Sequence, residues 1–454
     1  MAKRTIQLSD HFDYLTLVRF TIPSMLMMVI SSVYSIVDGL FISNFAGSDG
    51  FAAVNLMMPI AMLVSCVGFM AGVGGSALVS KTIGSGQEDE ARRQFSFVVY
   101  LSIGFSLVMG VLVFLFVPQI ARILGAEGVI LENCVQYGRI LVAALPAFML
   151  QILFQNFLVV AERPRMGMTI AISSGVTNIV LDALFVAGFH WGVAGAAAAT
   201  VTGQMIGGLV PLIYFLSGKN RLLRFVRAPF HHQTLRRIAA NGLSAFISNA
   251  SASVIGIVFN LRLMELIGPD GVVAYGAVMY VNYIVTGVFM GYSTGIAPVF
   301  SYHLGTKNRE EIRGLFRKSL VVIGVSAVLL TCLVMLADRL LASIFVSYDE
   351  SLMALTTEAI RLYSWSFLIC GFNLFATSFF AALNNGLVSS ILSLTRTLVF
   401  QVGAVLLLPM LLGEKGIWLS VLVAEILSLG VSIWFVAANG KRYGYLNHEV
   451  KKHE

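Results

Sequence analysis

Two aspartates interrupt otherwise apolar stretches of this chain: Asp38 within YSIVDGLFIS and Asp182 within TNIVLDALF. Asn178 precedes Asp182 by one i,i+4 step, which places both on one face of a helix. Thr200 lies in the next apolar stretch, within GAAAATVTG. An ionisable side chain in such surroundings costs on the order of 3 kcal/mol at a helix centre on insertion scales, so its presence points to a role. Two carboxylates held near each other away from water repel, and a proton on one or a cation between them relieves the repulsion. The chemistry expected of Asp38, Asn178, Asp182 and Thr200 is therefore reversible binding of H⁺ or Na⁺.

Enzymatic alternatives find no support in the sequence. It holds no HExxH or CxxC pattern, and the run GSALVSKT beginning at Gly75 has Ser80 where a P-loop requires glycine. The four cysteines, Cys66, Cys134, Cys332 and Cys370, fall mostly in apolar stretches without metal-ligand spacing and read as small apolar residues. No metal centre beyond a Na⁺ ion at the four polar residues, no cofactor and no ATP-driven machinery is expected, leaving an ion gradient as the energy source.

The elements that must position these residues follow from composition. Of 454 residues, 57% are hydrophobic and 12% charged, and the mean hydropathy is +0.85. A soluble domain carries about 25% charged residues, whereas a bilayer-spanning helix needs about 20 apolar residues. The sequence accommodates twelve such spans, including Leu15–Ser43, Pro164–Phe189 and Val193–Leu216 as the first, fifth and sixth. Counted from the ends expected to face outward, Asp38, Asp182 and Thr200 lie about five to seven residues deep, or roughly 7 to 11 Å at about 1.5 Å per residue. They share one layer.

Twelve spans put both termini on one side. Of the 30 Lys and Arg, only Arg122, Arg339 and Lys415 fall in the opposite loops, so the positive-inside rule assigns both termini to the cytoplasm. The net charge of +7 reads as topology, not as a nucleic-acid interface. Arg139 and Arg361 are expected to snorkel to the outer interface, Glu162 and Glu265 to be solvated at span ends, and Arg396 and Glu425 to pair between helices.

The chain is also a repeat. Sliding it by 221 positions superposes Gly47-Ser-Asp-Gly50 on Gly268-Pro-Asp-Gly271, Gly74 on Gly295, Gly84 on Gly305, Arg92 on Arg313 and Phe95 on Phe316, with thirteen identities in the forty-nine positions from Gly47. Each copy holds six spans, an even number, so the copies share one orientation about an axis along the membrane normal, as in many carriers. The expected organisation is an all-α membrane protein of two six-helix bundles: an N-terminal lobe over residues 1–225 and a C-terminal lobe over 226–454. A basic linker from about 218 to 237 joins them.

The turn GSDGFAAVNL, the closing run KTIGSGQEDEARR with its echo HLGTKNREEIR, and WGVAGAAAATVTGQ resemble the multidrug and toxic compound extrusion (MATE) transporters over essentially the whole chain. The pattern is most similar to the DinF-like and archaeal subgroup. That resemblance implies a cation site at Asp38, Asn178, Asp182 and Thr200, a helix-bending proline at Pro23 and a cavity tyrosine at Tyr34. Asn156, Met25 and Met28 are further candidates for the substrate cavity. The carboxylates that NorM-like members carry in the seventh and tenth spans are absent here. The function implied is a monomeric inner-membrane antiporter that exports amphipathic, often cationic drugs or toxins for inward H⁺ or Na⁺. The alternative is a lipid-linked oligosaccharide flippase of the same superfamily, which requires cationic side chains in its cleft.

Overall fold

The computed structural model describes residues 6–346 and 349–446, apart from the side chains of Ser43, Ser48 and Pro59. The regular structure of its described residues is all helix, with ten helices long and apolar enough to cross a membrane and two further bent pairs that make up to twelve spans. The chain is a multi-pass membrane protein. In order, the spans are α1 (Tyr14–Phe45), α2 (Gly47–Gly84), α3 (Glu88–Ile123), α4 (Gly128–Ala143 with Leu145–Val160), α5 (Pro164–Asp182 extended by Ala183–Gly188) and α6 (Gly192–Leu216). The second set comprises α7 (His232–Leu266), α8 (Pro269–Gly305), α9 (Arg309–Leu336), α10 (Glu350–Ser364 with Phe367–Ala382), α11 (Gly386–Leu394 continuing through Thr395–Gln401 to Val402–Leu412) and α12 (Glu414–Tyr443).

The repeat is visible in the irregularities. The halves of α4 meet at 53° and those of α10 at 48°, at junctions 221 to 222 positions apart. Pro146 helps break α4, since proline has no N–H to continue the ladder. No proline occupies the break in α10, so the bend belongs to the architecture and proline reinforces one copy of it. Both α5 and α11 contain a π-helical stretch, Ala183–Gly188 and Thr395–Gln401 respectively. Those two stretches do not correspond under the repeat; each adjoins or contains a buried charged group, a common setting for π-turns.

Across the two lobes, α2 packs chiefly on α7 and α1 on α8. Contact is closest near the loops rich in Lys and Arg, where glycines let backbones touch. A Cβ on Gly74 would meet Ile238 O at 2.0 Å, and one on Gly242 would meet Met70 O at 1.9 Å. At the very end of the seam, a Cβ on Gly84 would meet Tyr302 O at 2.0 Å and one on Gly305 would meet Lys81 O at 2.1 Å. Shifting Lys81 and Gly84 by 221 gives Tyr302 and Gly305, so these two contacts are one contact repeated about the pseudo-two-fold axis.

In the other half the lobes part. A Cβ placed on Gly39 of α1, Gly256 of α7 or Gly276 of α8 would meet nothing within 4 Å, and Ser32 Oγ to Tyr283 O, 3.2 Å, is a bridge between the lobes near the mid-length of α1. The molecule is thus a V, closed at the basic end and open at the other.

The N-terminal segment helps close it. Leu8 and Phe12 are buried in the same core as Phe289, Leu315 and Phe375 of the second repeat. Leu8 N–H donates to Glu162 Oε1 at 2.7 Å in the first lobe, while Phe12 N–H donates to Glu311 Oε1 at 3.0 Å in the second. His11 Nδ1 lies 2.7 Å from Glu311 Oε2, and Lys318 donates to the Phe12 carbonyl. Glu162 is therefore not the solvated span-end carboxylate that its position suggested; it is half-buried and engaged by the Leu8 amide of the N-terminal segment. Glu265 does sit at the surface, with its side chain 64% exposed and paired with Arg262 at 2.5 Å.

Candidate functional site

Asp38, Asn178, Asp182 and Thr200 come from three helices of the first lobe and meet inside it. Asp38 lies seven residues before the end of α1 at Phe45, Asp182 six before the end of the π-stretch at Gly188, and Thr200 eight after the start of α6 at Gly192, so the common layer holds. Asp38 is 4% exposed, Asn178 2% and Asp182 0%. Thr200 Oγ1 donates to Asp38 Oδ1 at 3.5 Å, a long contact. The carboxyl groups of Asp38 and Asp182 lie within reach of one another.

Local sequence explains the approach. Small residues pave the α5–α6 contact: a Cβ on Gly203 would meet Ser174 O at 3.1 Å and Asn178 Cβ at 3.4 Å, and Ser174 Oγ donates to Gly203 O at 2.7 Å. Asp182 is the last α-helical residue before the chain widens into the π-stretch.

Both oxygens of Asp182 and both polar atoms of the Asn178 amide are buried without a hydrogen-bond partner. Burying polar groups unpaired costs on the order of 1–3 kcal/mol each. Two ionised carboxylates have no proton to share, so the pair is mutually unsatisfied until a proton or a cation joins it. The set of two carboxylates, an amide oxygen and a hydroxyl suits H⁺ or a hard monovalent cation. Among the described residues no group of three or more His, Cys, Asp or Glu is arranged to hold a metal ion.

Other sequence candidates fall around this cluster. Tyr34 lies one turn before Asp38, with its ring against Gly175: a Cβ there would meet Tyr34 Cδ1 at 3.3 Å. Its phenol neighbours Asp38 and Gln151. Asn156 is 7% exposed and donates to Ile152 O of its own helix at 3.1 Å, with its amide pressed over Gly72 of α2. Met25 and Met28 lie on α1 where it meets Gly291 and Gly287 of α8, at the seam between lobes, and Pro23 is buried just before them. The four cavity candidates therefore divide: Tyr34 adjoins the cation cluster, Asn156 lies within the lobe, and the methionines lie at the seam.

Sequence reasoning missed Tyr137. It is 1% exposed, on the first half of α4, and close enough to both Asp38 and Asp182 for their charges to act on it. A tyrosine in an amphipathic half-helix gives no signal of its own, because only the 53° bend of α4 directs that half toward the cluster.

A family model described as MatE matches residues 23–184 and again residues 244–406. The chain belongs to the MatE family. The two matches start 244 − 23 = 221 positions apart, the displacement of the internal repeat. Among curated relatives, the multidrug export protein MepA of Staphylococcus haemolyticus (strain JCSC1435) is 27% identical over 422 residues, covering 92% of each chain. MepA of Staphylococcus aureus (strain MRSA252) is 24% identical over 410 residues, 90% of each. A crystal structure of MATE in complex with MaL6 superposes with a TM-score of 0.91 at 21% identity, over 98% of this chain and 100% of that one. An outward-facing multidrug resistance MATE transporter of the MOP superfamily gives 0.91 at 22%, over 98% and 99%. The superpositions establish the MATE fold, twelve helices in two lobes.

In this MatE chain the second lobe carries a different polar network. Arg396, in the π-stretch of α11, contacts Glu425 of α12 through Nε and Nη2 at 2.9 and 2.7 Å, and Asn373 Nδ2 donates to Glu425 Oε2 at 2.7 Å. Ser432 Oγ donates to Asn373 Oδ1 at 2.9 Å. The Arg396 and Glu425 side chains are 16% and 4% exposed, so the pair joins helices as the sequence suggested. Glu425→Gln alone is expected to destabilise the protein by about 3–5 kcal/mol, because it strands a buried guanidinium. Arg396→Met with Glu425→Leu should recover most of that loss. Thermal melts of the purified variants check this; equal melting of wild type and Glu425→Gln would contradict it. Arg139 stacks over Phe114, 5.3 Å from the ring centroid, and Arg361 pairs with Asp338 at 2.7 Å with its side chain 62% exposed, consistent with interfacial anchoring.

Proposed function

We propose that this chain is a monomeric carrier of the inner membrane, with both termini cytoplasmic, that exports amphipathic and often cationic drugs or toxins in exchange for inward H⁺ or Na⁺. The observation that carries the reading is the pairing of Asp38 with Asp182, buried beside Asn178 and Thr200 in the first lobe. The multidrug-export function of the MepA relatives supports the substrate class. With the basic loops in the cytoplasm, the open end of the V faces outward, so a cation from outside reaches the acidic cluster in this state. Its binding removes the carboxylate repulsion and lets α1 repack around Pro23, with drug released past Tyr34, Asn156, Met25 and Met28. One charge moving down 100 mV supplies about 2.3 kcal/mol to drive the cycle.

The arginines within spans speak against a lipid-linked oligosaccharide flippase. Arg396 is engaged by Glu425, Arg262 by Glu265 and Arg361 by Asp338, which leaves the polar cluster of the first lobe acidic and unsuited to a pyrophosphate. Drug uptake into inverted vesicles tests the proposal, with a pH gradient or a sodium gradient imposed alone. Uptake should follow one of the two, and uptake indifferent to both would overturn the antiport scheme.

A further inference from the structure

We propose that the connection between the two lobes is a binding site for anionic phospholipid headgroups. From Lys219 to Arg237 it contains six Lys or Arg (Lys219, Arg221, Arg224, Arg227, Arg236 and Arg237) and no Asp or Glu, a charge of 6 − 0 = +6 in a chain whose total is +7. Topology alone requires only that the charge be on this side. It does not require the order that the segment displays.

From Leu223 to His231 the chain is without helix and is pinned along the start of α3. Val226 N–H donates to Ser96 Oγ at 3.0 Å, Tyr100 Oη donates to Val226 O at 3.5 Å, and Arg92 Nη2 donates to Arg221 O at 2.9 Å. Phe225 packs on Phe95 and Tyr100 with centroids 5.3 and 5.8 Å apart, and Phe230 on Phe97 at 5.8 Å. Leu223 is buried, and Leu222, Phe225 and Val226 are partly buried, so Arg221, Arg224 and Arg227, three residues apart, all remain exposed. An extended chain spaces them by roughly 10 Å. None of the three takes part in a described ion pair.

The place of this row is set by α3. Tyr100 is 47% exposed and heads a stripe continuing through Leu107, Val108, Val111 and Leu115, which are 53 to 61% exposed and face the hydrocarbon. Tyr100 with Phe225 and the 69% exposed Phe230 make an aromatic collar at the level where tyrosine-like rings mark the membrane interface. A row of guanidiniums fixed at that level, without protein partners, faces the phosphates of the adjoining leaflet, and juxtamembrane basic clusters bind anionic lipid. Guanidinium forks match phosphate oxygens in pairs.

The test uses the detergent-solubilised full chain titrated with phosphatidylglycerol, reading the lipid concentration that gives half-maximal thermal stabilisation. The triple variant Arg221→Gln, Arg224→Gln, Arg227→Gln should need roughly 100-fold more lipid, whereas the triple Arg→Lys variant stays within a few-fold of wild type. Removing the same charge elsewhere on this side, by Arg163→Gln, Arg165→Gln and Lys307→Gln, should change the midpoint less than two-fold. Should the Gln triple fail to fold, the wild-type response decides, because raised salt must weaken it. Wild-type-like binding by the Gln triple, equal loss in the control triple, equal stabilisation by inorganic phosphate, or a salt-independent response would each overturn the proposal. None of these readouts depends on drug transport.

Discussion

Asp38→Asn and Asp182→Asn are each expected to abolish gradient-driven drug accumulation while leaving insertion and folding intact. Asparagine keeps the volume and hydrogen-bonding atoms of the side chain but takes up no proton and offers no charge to a cation, so the coupling ion loses its reason to bind. The size of the effect follows from the drive removed: about 2.3 kcal/mol per charge per 100 mV sustains roughly a fifty-fold concentration ratio, which should collapse to unity. Thr200→Ala removes one long contact of 3.5 Å and should weaken the apparent ion affinity only a few-fold. Tyr137→Phe, next to both acids, should fall between. Proteoliposomes with an imposed pH or sodium gradient report accumulation, and drug–drug exchange without a gradient reports folding and substrate access. Wild-type accumulation by either aspartate variant would sink the coupling role of the pair.

A side chain at the repeated glycine contact should be almost as damaging, for a different reason. A Cβ needs at least 3.0 Å where Gly84 and Gly305 offer 2.0 and 2.1 Å to the carbonyls of Tyr302 and Lys81. Those neighbours are backbone, so no rotamer relieves the clash and the lobes must part at the basic end. Overpacking of this kind costs about 1–3 kcal/mol, a roughly 5- to 150-fold shift of the conformational balance. Gly84→Val or Gly305→Val should therefore disfavour the closed basic end and slow transport at least ~5-fold. Gly256→Ala, where nothing lies within 4 Å, should leave transport near normal. Spin labels at Gln87 and Lys307 report the separation directly, in a Cys332→Ser background because Cys332 is the exposed one of the four cysteines. An unchanged distance distribution in the valine variants would contradict the account of the seam.

The two results separate what each part of the molecule does. The acids answer for coupling and the glycines for how closely the lobes shut. A loss in the first with an unchanged label distance, and a changed distance in the second with ion binding retained, would locate the two functions independently.

The sequence by itself determined the spans, the duplication and the acids, because a bilayer imposes demands that composition must meet. Hydrocarbon requires long apolar runs, so twelve spans and the rare charges within them stand out, and equal spacing of Gly84 and Gly305 from their neighbours betrays the repeat. Only the tertiary structure decided which faces those helices turn inward. Spans that are apolar all round carry no amphipathic stripe, so nothing announced that Asn156 would be spent on its own helix, and on the amphipathic first half of α4 nothing announced that the bend would carry Tyr137 to the acids. The crossing of Leu8 and Phe12 into the far lobe's core, and with it the burial of Glu162, was equally silent, since a short polar tail shows its partners only once both lobes are assembled. Periodicity reports a residue's neighbours along one helix, whereas the site, the seam and the lipid-facing row of arginines are each made by contacts between segments far apart in the chain.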